Sequence, residues 1–202
     1  PDDGRFDSAC LRLSKDKTAF EMAFHAIVSR VQPGGRIWIY GANDEGIKSA
    51  PKRISFLCET LKTMTTKRHC RVIACTVGGE TTDLRPKLSD WRQNVLLDFT
   101  DEAVAATSYP GVFAKGQLDA GTRLLLDTIP ARKPHSSVLD YGCGSGVIAL
   151  GLATVEPTLD LTILDADAIA IEAARQNLPQ ARAIVAHSMA CLDKQQRFDS
   201  IV

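Results

Sequence analysis

Three glycines at alternating positions constrain the fold of this chain more than any other feature. Gly142, Gly144 and Gly146 follow the apolar, β-type run 138–141 (VLDY) and precede a helix-type run that begins at residue 147. Glycine permits a tight strand-to-helix turn and a close approach of backbone to ligand, and the following helix offers unpaired N–H groups. The spacing therefore predicts an α/β fold with a ligand-binding turn after one of its strands.

An acidic residue before this turn favours a cationic ligand over a phosphate. A dinucleotide fingerprint would read G-x-G-x-x-G, but here the third glycine comes one residue early and Asp140 precedes the first. A carboxylate repels a pyrophosphate and attracts a cation, and S-adenosylmethionine carries both a sulfonium and an ammonium. Asp165 ends the next apolar run, LTILD, where a carboxylate would reach ribose hydroxyls. We interpret this set as a nucleoside-binding half-site; the alternative is a glycine-rich turn of another α/β fold, in which Asp140 only caps the helix.

Composition indicates an ordered protein whose charge is distributed unevenly along the chain. The 202 residues are 45% hydrophobic, enough for one large domain or two modest ones. The net charge is zero, yet residues 1–100 hold 16 basic and 12 acidic residues, against 8 and 12 in the remainder, so the first part is the better candidate for contact with RNA. Six basic residues are candidates for phosphate contacts, with solvated surface as the alternative; they are Lys48, Lys52, Arg53, Lys67, Arg68 and Arg71.

Cysteine and histidine usage predicts no metal site. The six cysteines lack C-x-x-C pairs and a histidine at zinc-ligand spacing, so we expect reduced thiols, as in a cytoplasmic protein. The four histidines fall in unrelated elements and are interpreted as structural or solvated. No run of 18 apolar residues exists, so we predict no membrane span; the chain begins at Pro1, so targeting at that end stays open.

Helical and strand-type periodicities alternate in the first part of the chain. The first helix has a predicted capping box at Thr18 and Glu21. We predict an N-terminal α/β domain over residues 1–85 and a linker over 86–108. In chain order the domain is predicted to contain helix 18–31, strand 36–41, helix 47–63 and strand 71–77.

The same alternation continues from residue 109 to residue 202, with the glycine turn in its middle. Strands that alternate with helices are typical of a parallel, doubly wound sheet. The second domain is therefore predicted to be Rossmann-like. Its predicted elements around the turn are helix 122–129, helix 147–155, strand 161–165, helix 168–178 and strand 182–186.

Four segments after residue 109 resemble class I S-adenosylmethionine-dependent methyltransferases. They read YPGVFAKGQLDAGTRLLL, VLDYGCGSGVIALGLA, LTILDADAIAIEAARQNL and FDSIV. The P-G-x-F…L-D-x-G-[ST] pattern before the glycine turn is similar to that of the ribosomal RNA guanine-N2 methyltransferases of the small-subunit type and their large-subunit relatives. Residues 11–77 resemble the N-terminal domain of that family, a degenerate copy of the methyltransferase fold that is implicated in RNA handling and folding.

This resemblance implies a role for each matched residue of the turn. Gly142, Gly144 and Gly146 would line the methionine part of S-adenosylmethionine, and Asp140 would hold its amino end through hydrogen bonds. Asp165 would bind the ribose hydroxyls.

Two residues after strand 182–186 are expected near the adenine. Ser188 falls where relatives usually have Asp or Asn in contact with the adenine amine, and this is a departure because its hydroxyl is shorter and uncharged. Met189 is expected to cover the adenine face, with an ordinary core position as the alternative.

The resemblance also implies a segment that closes over cofactor and substrate. It contains Phe113, Asp119, Gly121 and Thr122. The alternative is a helix entry in which Asp119 and Thr122 are capping groups.

The implied reaction is methyl transfer to the exocyclic N2 amine of a guanine in ribosomal RNA, with the RNA or a ribosomal subunit as partner. Most of the acceleration is expected from alignment of the two reactants. The family has an N-P-P-[FY] loop after F-D-x-I-[VI], and this sequence ends at FDSIV, so we expect that loop and the remaining strands beyond Val202 and name no catalytic residue. Two alternatives stay open: a protein glutamine-N5 methyltransferase, and a noncatalytic RNA-binding or ribosome-assembly module. The oligomeric state is not indicated.

Overall fold

Two four-stranded sheets, one in each of two units, organise the chain. The computed structural model describes residues 4–79, 83–99, 103–112, 118–130 and 132–202. Unit 1 comprises Pro1–Trp91 and unit 2 comprises Arg92–Val202. Each unit has its own apolar core. The predicted arrangement of an α/β domain followed by a Rossmann-like domain is therefore confirmed.

The sheet of unit 1 is mixed. Its strands are β1 (Phe6–Arg12), β2 (Val31–Ala42), β3 (Cys58–Lys67) and β4 (Cys70–Val77). The strand order is β1-β2-β4-β3, in which β1 and β2 are parallel and the other neighbours are antiparallel. Only the β1–β2 pair therefore follows the parallel pattern of a Rossmann-like sheet.

Helices α1 (Lys17–Val28) and α2 (Ala50–Ile54) complete the core of unit 1. Phe20 and Phe24 of α1 pack with Ile37 and Ile39 of β2 in one buried cluster. Side chains alternate between the two faces of a strand, so the residues between and beside these isoleucines point away from the core.

Helix α1 begins one residue earlier than predicted, and its cap is different. The Asp16 carboxylate accepts a hydrogen bond from the Ala19 backbone N–H at 2.8 Å. The predicted capping box at Thr18 and Glu21 is therefore wrong, because the chain is already helical at Lys17 and Asp16 supplies the acceptor.

The segment 47–63 shows the largest difference from the predicted secondary structure. Only Ala50–Ile54 is α-helical, and a strand begins at Cys58. The sequence CETLKTMTTK is rich in threonine, whose β-branched side chain favours a pleated strand, and it pairs along nearly all of β4. This long-range pairing outweighs the helical spacing of the apolar residues before it.

The pairing of β3 with β4 also changes the prediction for the cysteines. The structure joins Cys58 and Cys75 in a disulfide, with Cα atoms 5.8 Å apart. Cys58 lies opposite Val77 and Cys75 lies opposite Leu61, so the antiparallel register brings the two sulfurs together diagonally. The prediction of reduced thiols throughout is therefore wrong for this pair. Within the described ranges, no cluster of three or more His, Cys, Asp or Glu side chains suited to a metal is found.

The turn between β3 and β4 holds two non-glycine residues in the left-handed region. Arg68 has φ of 49° and His69 has φ of 61°, and the flanking Lys67 and Cys70 are paired. A two-residue hairpin loop of this kind strongly prefers Asn-Gly. We expect the double substitution Arg68→Asn, His69→Gly to raise the free energy of unfolding by about 1 kcal/mol, because it relieves backbone strain. Urea denaturation measures the change, and an unchanged or lower midpoint would contradict this expectation.

The segment 86–108 differs from the linker that the sequence suggests. In unit 1 the Trp91 side chain is buried, and its indole N–H donates to the Arg85 carbonyl at 3.0 Å. In unit 2 the strands β5 (Gln93–Asp98) and β6 (Ala103–Ser108) form an antiparallel pair. Short strands of this kind have weak sequence patterns, because pairing rather than local preference stabilises them.

Unit 2 contains the predicted parallel sheet. Strands β7 (Ser137–Tyr141), β8 (Asp160–Asp165), β9 (Arg182–Val185) and β10 (Ser200–Ile201) lie in the order β10-β7-β8-β9, and all neighbours are parallel. The helices are α3 (Ala120–Thr128), α4 (Val147–Val155) and α5 (Ala168–Asn177). The longest helix that the structure describes in either unit has 12 residues, and a helix needs about 20 to span a bilayer.

Candidate cofactor site

The glycine turn joins β7 to α4, and its three glycines serve different purposes. Gly142, Gly144 and Gly146 have φ of 76°, 56° and 80°, all in the left-handed region. A Cβ added at Gly146 would lie 3.1 Å from Leu178 Cδ1 and 3.3 Å from Ala174 Cβ, so this glycine permits close packing against the α5 region. A Cβ added at Gly142 or Gly144 would meet nothing within 4 Å. These two glycines present bare backbone to open space, as a ligand cradle requires.

Asp140 lies buried in β7 beneath this turn. Its side chain is 1% exposed, and Oδ2 accepts a hydrogen bond from the Ala149 backbone N–H in α4 at 3.1 Å. Burial raises the pKa of Asp140 to about 6; the hydrogen bond from Ala149 opposes the rise, and the negative charge of Asp165 adds to it. A buried carboxylate next to a second acid is a position that a cationic ligand group would stabilise.

Asp165 ends β8, the strand beside β7, and holds the turn from the other side. Its Oδ2 accepts from the Gly144 backbone N–H at 2.8 Å, and its Oδ1 accepts from the Asp167 backbone N–H at 2.8 Å. The residue is half-buried, and each carboxylate oxygen has a second lone pair that can accept a further bond. The structure therefore brings Asp140, the glycine turn and Asp165 together, as the sequence predicts.

Two further groups that the sequence analysis missed fix the turn in place. The Leu164 carbonyl accepts from the backbone N–H groups of Gly142 and Cys143, at 2.8 and 3.1 Å. The Asn177 side chain donates to the carbonyls of Ser145 and Thr107, both at 2.9 Å, and accepts from the Thr107 N–H at 2.6 Å. Asn177 thus ties the turn to β6. Nothing local in the sequence marks it, because its partners lie far along the chain.

Ser188 and Met189 follow β9, at the same edge of the parallel sheet. The Ser188 hydroxyl accepts from the Ala190 N–H at 3.4 Å and caps a short 3₁₀ turn, Met189–Cys191. The Met189 side chain is 47% exposed. The alternative of an ordinary core position for this methionine is therefore wrong, and its contact with adenine stays a prediction.

The segment predicted to close over the ligand forms the start of α3. Asp119 Oδ1 accepts from the N–H groups of Gly121 and Thr122 at 2.9 and 3.1 Å, and Oδ2 accepts from the Thr122 hydroxyl at 2.8 Å. The Thr122 hydroxyl, with the backbone donors, lowers the pKa of Asp119. The structure shows the capping arrangement that the sequence analysis kept as the alternative. Phe113 lies outside the described residues, and closure stays a prediction.

The geometry of this corner fits S-adenosylmethionine. Neither Asp140 nor Asp165 belongs to the described ion pairs, Arg12–Glu45 and Arg53–Glu21, and a buried acid beside the charge of Asp165 makes a cationic ligand group favourable at this corner. The open backbone between them matches a ligand that lies along the turn.

Comparison with known protein families decides the classification. Residues 1–94 match the family model described as the N-terminal part of the methyltransferase small domain, and residues 103–202 match the methyltransferase small domain itself. The chain belongs to this methyltransferase family. The family confirms the resemblance predicted from the sequence, and it indicates S-adenosylmethionine as the cofactor.

Curated relatives of this methyltransferase carry the name ribosomal RNA small subunit methyltransferase C. The protein from Shewanella halifaxensis is 34% identical over 171 residues, which are 85% of this chain and 49% of the relative. The one from Shewanella pealeana is 31% identical over 205 residues, 100% of this chain and 59% of the relative. The one from Pseudomonas aeruginosa is 33% identical over 87% of this chain and 51% of the relative. The chain thus spans about half the length of these relatives.

A solved structure shares the fold of the methyltransferase across both units. It is the 16S rRNA N2 methyltransferase RsmC of T. thermophilus, in complex with AdoMet and guanosine. The match has a TM-score of 0.86 at 21% identity, and it covers 98% of this chain and 55% of the other. At this identity the likeness concerns the fold.

Proposed function

We propose that the protein uses S-adenosylmethionine to methylate the exocyclic N2 amine of a guanine in small-subunit ribosomal RNA, in the cytoplasm. The observation that carries the proposal is the corner in unit 2, where the glycine turn meets Asp140 and Asp165. The names of the relatives, and the guanosine in the matched structure, support guanine in ribosomal RNA as the substrate. The match of residues 1–94 to the N-terminal part of the same family favours this substrate over a protein glutamine.

Each residue of the corner has a role in this proposal. Asp140 holds the amino end of the cofactor through hydrogen bonds, and the backbone of Gly142 and Gly144 lies along the methionine part. Asp165 binds the ribose hydroxyls with the acceptor capacity that its two backbone bonds leave. Gly146 supports the turn by its packing against the α5 region.

Residues outside the corner complete the binding surface. Ser188 and Met189 contact the adenine from the end of β9. Closure over the cofactor and the guanine is assigned to the segment with Phe113, Asp119, Gly121 and Thr122, whose last three members are already fixed by mutual hydrogen bonds.

The bound cofactor supplies an electrophilic methyl group, and the residues of the chain hold the two reactants in position. Transfer requires that the guanine N2 approach the methyl group in line with the bond that breaks, so alignment contributes most of the acceleration. The turn can provide this alignment because it is held at three points: by the Leu164 carbonyl, by Asn177 and by Asp165. Charge on Asp140 and Asp165 favours a cationic ligand at this point.

A matched pair of glycine substitutions tests the cradle. Gly142→Ala and Gly34→Ala both introduce a Cβ at a left-handed position, with φ of 76° and 78°, and in both cases nothing lies within 4 Å. Both variants should lose about 1 kcal/mol of stability from backbone strain. Only Gly142→Ala should weaken cofactor binding, by about tenfold or more, because its Cβ occupies the ligand side of the turn. Calorimetric titration measures the affinities, and equal affinities would contradict the cradle.

Methyl transfer itself is tested with the intact protein, S-adenosylmethionine labelled in its methyl group, and small ribosomal subunits that lack the modification. We expect label in the RNA, at guanine N2 after complete nuclease digestion and chromatography. Label on a glutamine of a ribosomal protein would replace this function with the glutamine-N5 alternative. Absence of label, with cofactor binding intact, would favour a noncatalytic assembly module. The same assay with deproteinised RNA shows which partner form is recognised.

A further inference from the structure

The unit 1 sheet has an outward face that carries aromatic and basic side chains. Isoleucines 37, 39 and 73 point into the core with α1 and α2, so the alternate residues of these strands point outward. In the register of the sheet, Arg12 of β1 lies beside Tyr40 of β2, and Lys62 of β3 lies in the row of Trp38. We call the following set the platform: Arg12, Arg36, Trp38, Tyr40 and Lys62.

Exposure and charge distinguish the platform from ordinary sheet surface. Tyr40 is 46% exposed, the Arg12 side chain is 68% exposed, and the Arg36 guanidinium lies 5.5 Å from the centre of the Trp38 ring. The other residues of the same face are small, apolar or hydroxyl-bearing, with one further lysine; they are Ser8, Cys10, Ala42, Thr60, Thr65, Lys67, Cys70, Val72, Ala74 and Thr76. Glu45, in the loop after β2, pairs with Arg12 at 3.2 Å.

We propose that the platform binds single-stranded RNA, with bases stacked on Tyr40 and Trp38 and phosphates held by Arg12, Arg36 and Lys62. Aromatic rings accept any base face, and an open sheet that offers two of them along one strand suits consecutive unstacked bases. Arg36 and Lys62 are in none of the described ion pairs, so the platform keeps a net positive charge although Glu45 pairs with Arg12, and this charge suits a phosphate backbone. A protein partner would gain less from such a face, because the unpaired cations Arg36 and Lys62 would have to be desolvated.

This inference deepens the proposed function, since the RNA would be the ribosomal substrate, but it concerns residues that take no part in the cofactor corner. The two claims are therefore separable by experiment. Platform variants should lose RNA affinity and keep their affinity for S-adenosylmethionine.

The affinity test uses the full chain and a labelled single-stranded oligoribonucleotide of mixed sequence, followed by fluorescence anisotropy over a range of salt concentrations. Tyr40→Leu should bind about tenfold more weakly. Lys62→Gln should lower the slope of log affinity against log salt by about 0.7, the value for one phosphate contact to a single strand. The matched controls are Phe56→Leu and Lys17→Gln, an exposed aromatic and an exposed lysine away from the platform, and both should bind like the wild type.

Tryptophan fluorescence gives a second readout that does not depend on a substitution in the platform. The two tryptophans are Trp38 and the buried Trp91, so quenching of the more exposed one on addition of RNA reports stacking directly. Unchanged affinity in Tyr40→Leu together with unquenched fluorescence would overturn the proposal. The proposal would also be overturned if Tyr40→Leu changed self-association in sedimentation and left the affinity for RNA unchanged, since the face would then be a protein contact.

Discussion

Asp140→Asn is expected to stabilise the protein near neutral pH and, in the same variant, to weaken its binding of S-adenosylmethionine. Burial raises the pKa of this carboxyl from 3.8 to about 6, so the folded chain keeps a proton between these values that the unfolded chain has lost. Stability therefore falls as pH rises through this window, and above it the buried charge costs on the order of 3 kcal/mol. Asparagine carries no charge, and its oxygen can still accept from Ala149, so the variant avoids this cost.

The pH dependence makes this expectation specific. Urea unfolding near pH 4 should give similar stabilities for Asp140→Asn and the wild type, and near pH 7.5 the variant should be more stable by about 2 to 3 kcal/mol. Calorimetric titration near pH 7.5 should show cofactor affinity reduced by about tenfold or more, because the charged partner of the ammonium is gone. A variant that is destabilised equally at both pH values would show that Asp140 serves the fold through its hydrogen bond alone.

The substitution is expected to raise stability and to lower cofactor affinity, and these opposite effects explain why β7 contains a buried acid that reduces the stability of the fold. A group whose only purpose was packing would be replaced by an apolar side chain with a gain in stability. Asp140 and Asp165 raise the energy of the corner together, since the charge of Asp165 raises the pKa of the buried Asp140. A cationic ligand relieves both, so the strain is compensated only in the complex.

Much of unit 2 was predictable because its signals are local. Strand β8 is a short, almost continuously buried run, helices α4 and α5 begin directly after the glycine turn and shortly after β8, and the acids and glycines of the corner lie beside these elements. The register of β7 with β8 then follows from the parallel pattern, and it brings Asp165 to the Gly144 N–H. The sequence pattern does not separate Gly142 from Gly146, because only the packing of Leu178 and Ala174 against the turn distinguishes them.

The errors fall where distant partners decide the structure. The predicted helix 47–63 includes the first six residues of β3, and only the register of β3 with β4 explains both their conformation and the Cys58–Cys75 pair. Asn177 was missed because it connects Ser145 with Thr107, which no short motif links. The platform has a similar origin: Arg12, Tyr40 and Lys62 come from three strands and meet only through sheet register.

Replacement of Asp165 is expected to have the largest effect on the cofactor. In Asp165→Asn an uncharged amide replaces the carboxylate, so an NH2 donor takes the place of one of the two acceptor oxygens. The remaining oxygen can serve either the Gly144 N–H or the Asp167 N–H, and the ribose hydroxyls lose a charged acceptor. Hydrogen bonds to a charged group contribute about 1.5 to 3 kcal/mol each, so loss of those to the ribose should weaken binding by about 100-fold.

A matched variant in the same strand separates the loss of this particular carboxylate from the loss of one negative charge elsewhere in the protein. Asp160 begins β8 at the opposite end from Asp165 and is exposed, so Asp160→Asn should leave cofactor affinity unchanged. Because the charge of Asp165 raises the pKa of Asp140, Asp165→Asn should also move the pH window of the Asp140 effect to lower pH, and Asp160→Asn should not. Calorimetry and urea unfolding across pH measure both consequences. Affinity within about twofold of the wild type in Asp165→Asn, with the fold intact, would remove this carboxylate from the ribose contact and leave the turn backbone as the main determinant of binding.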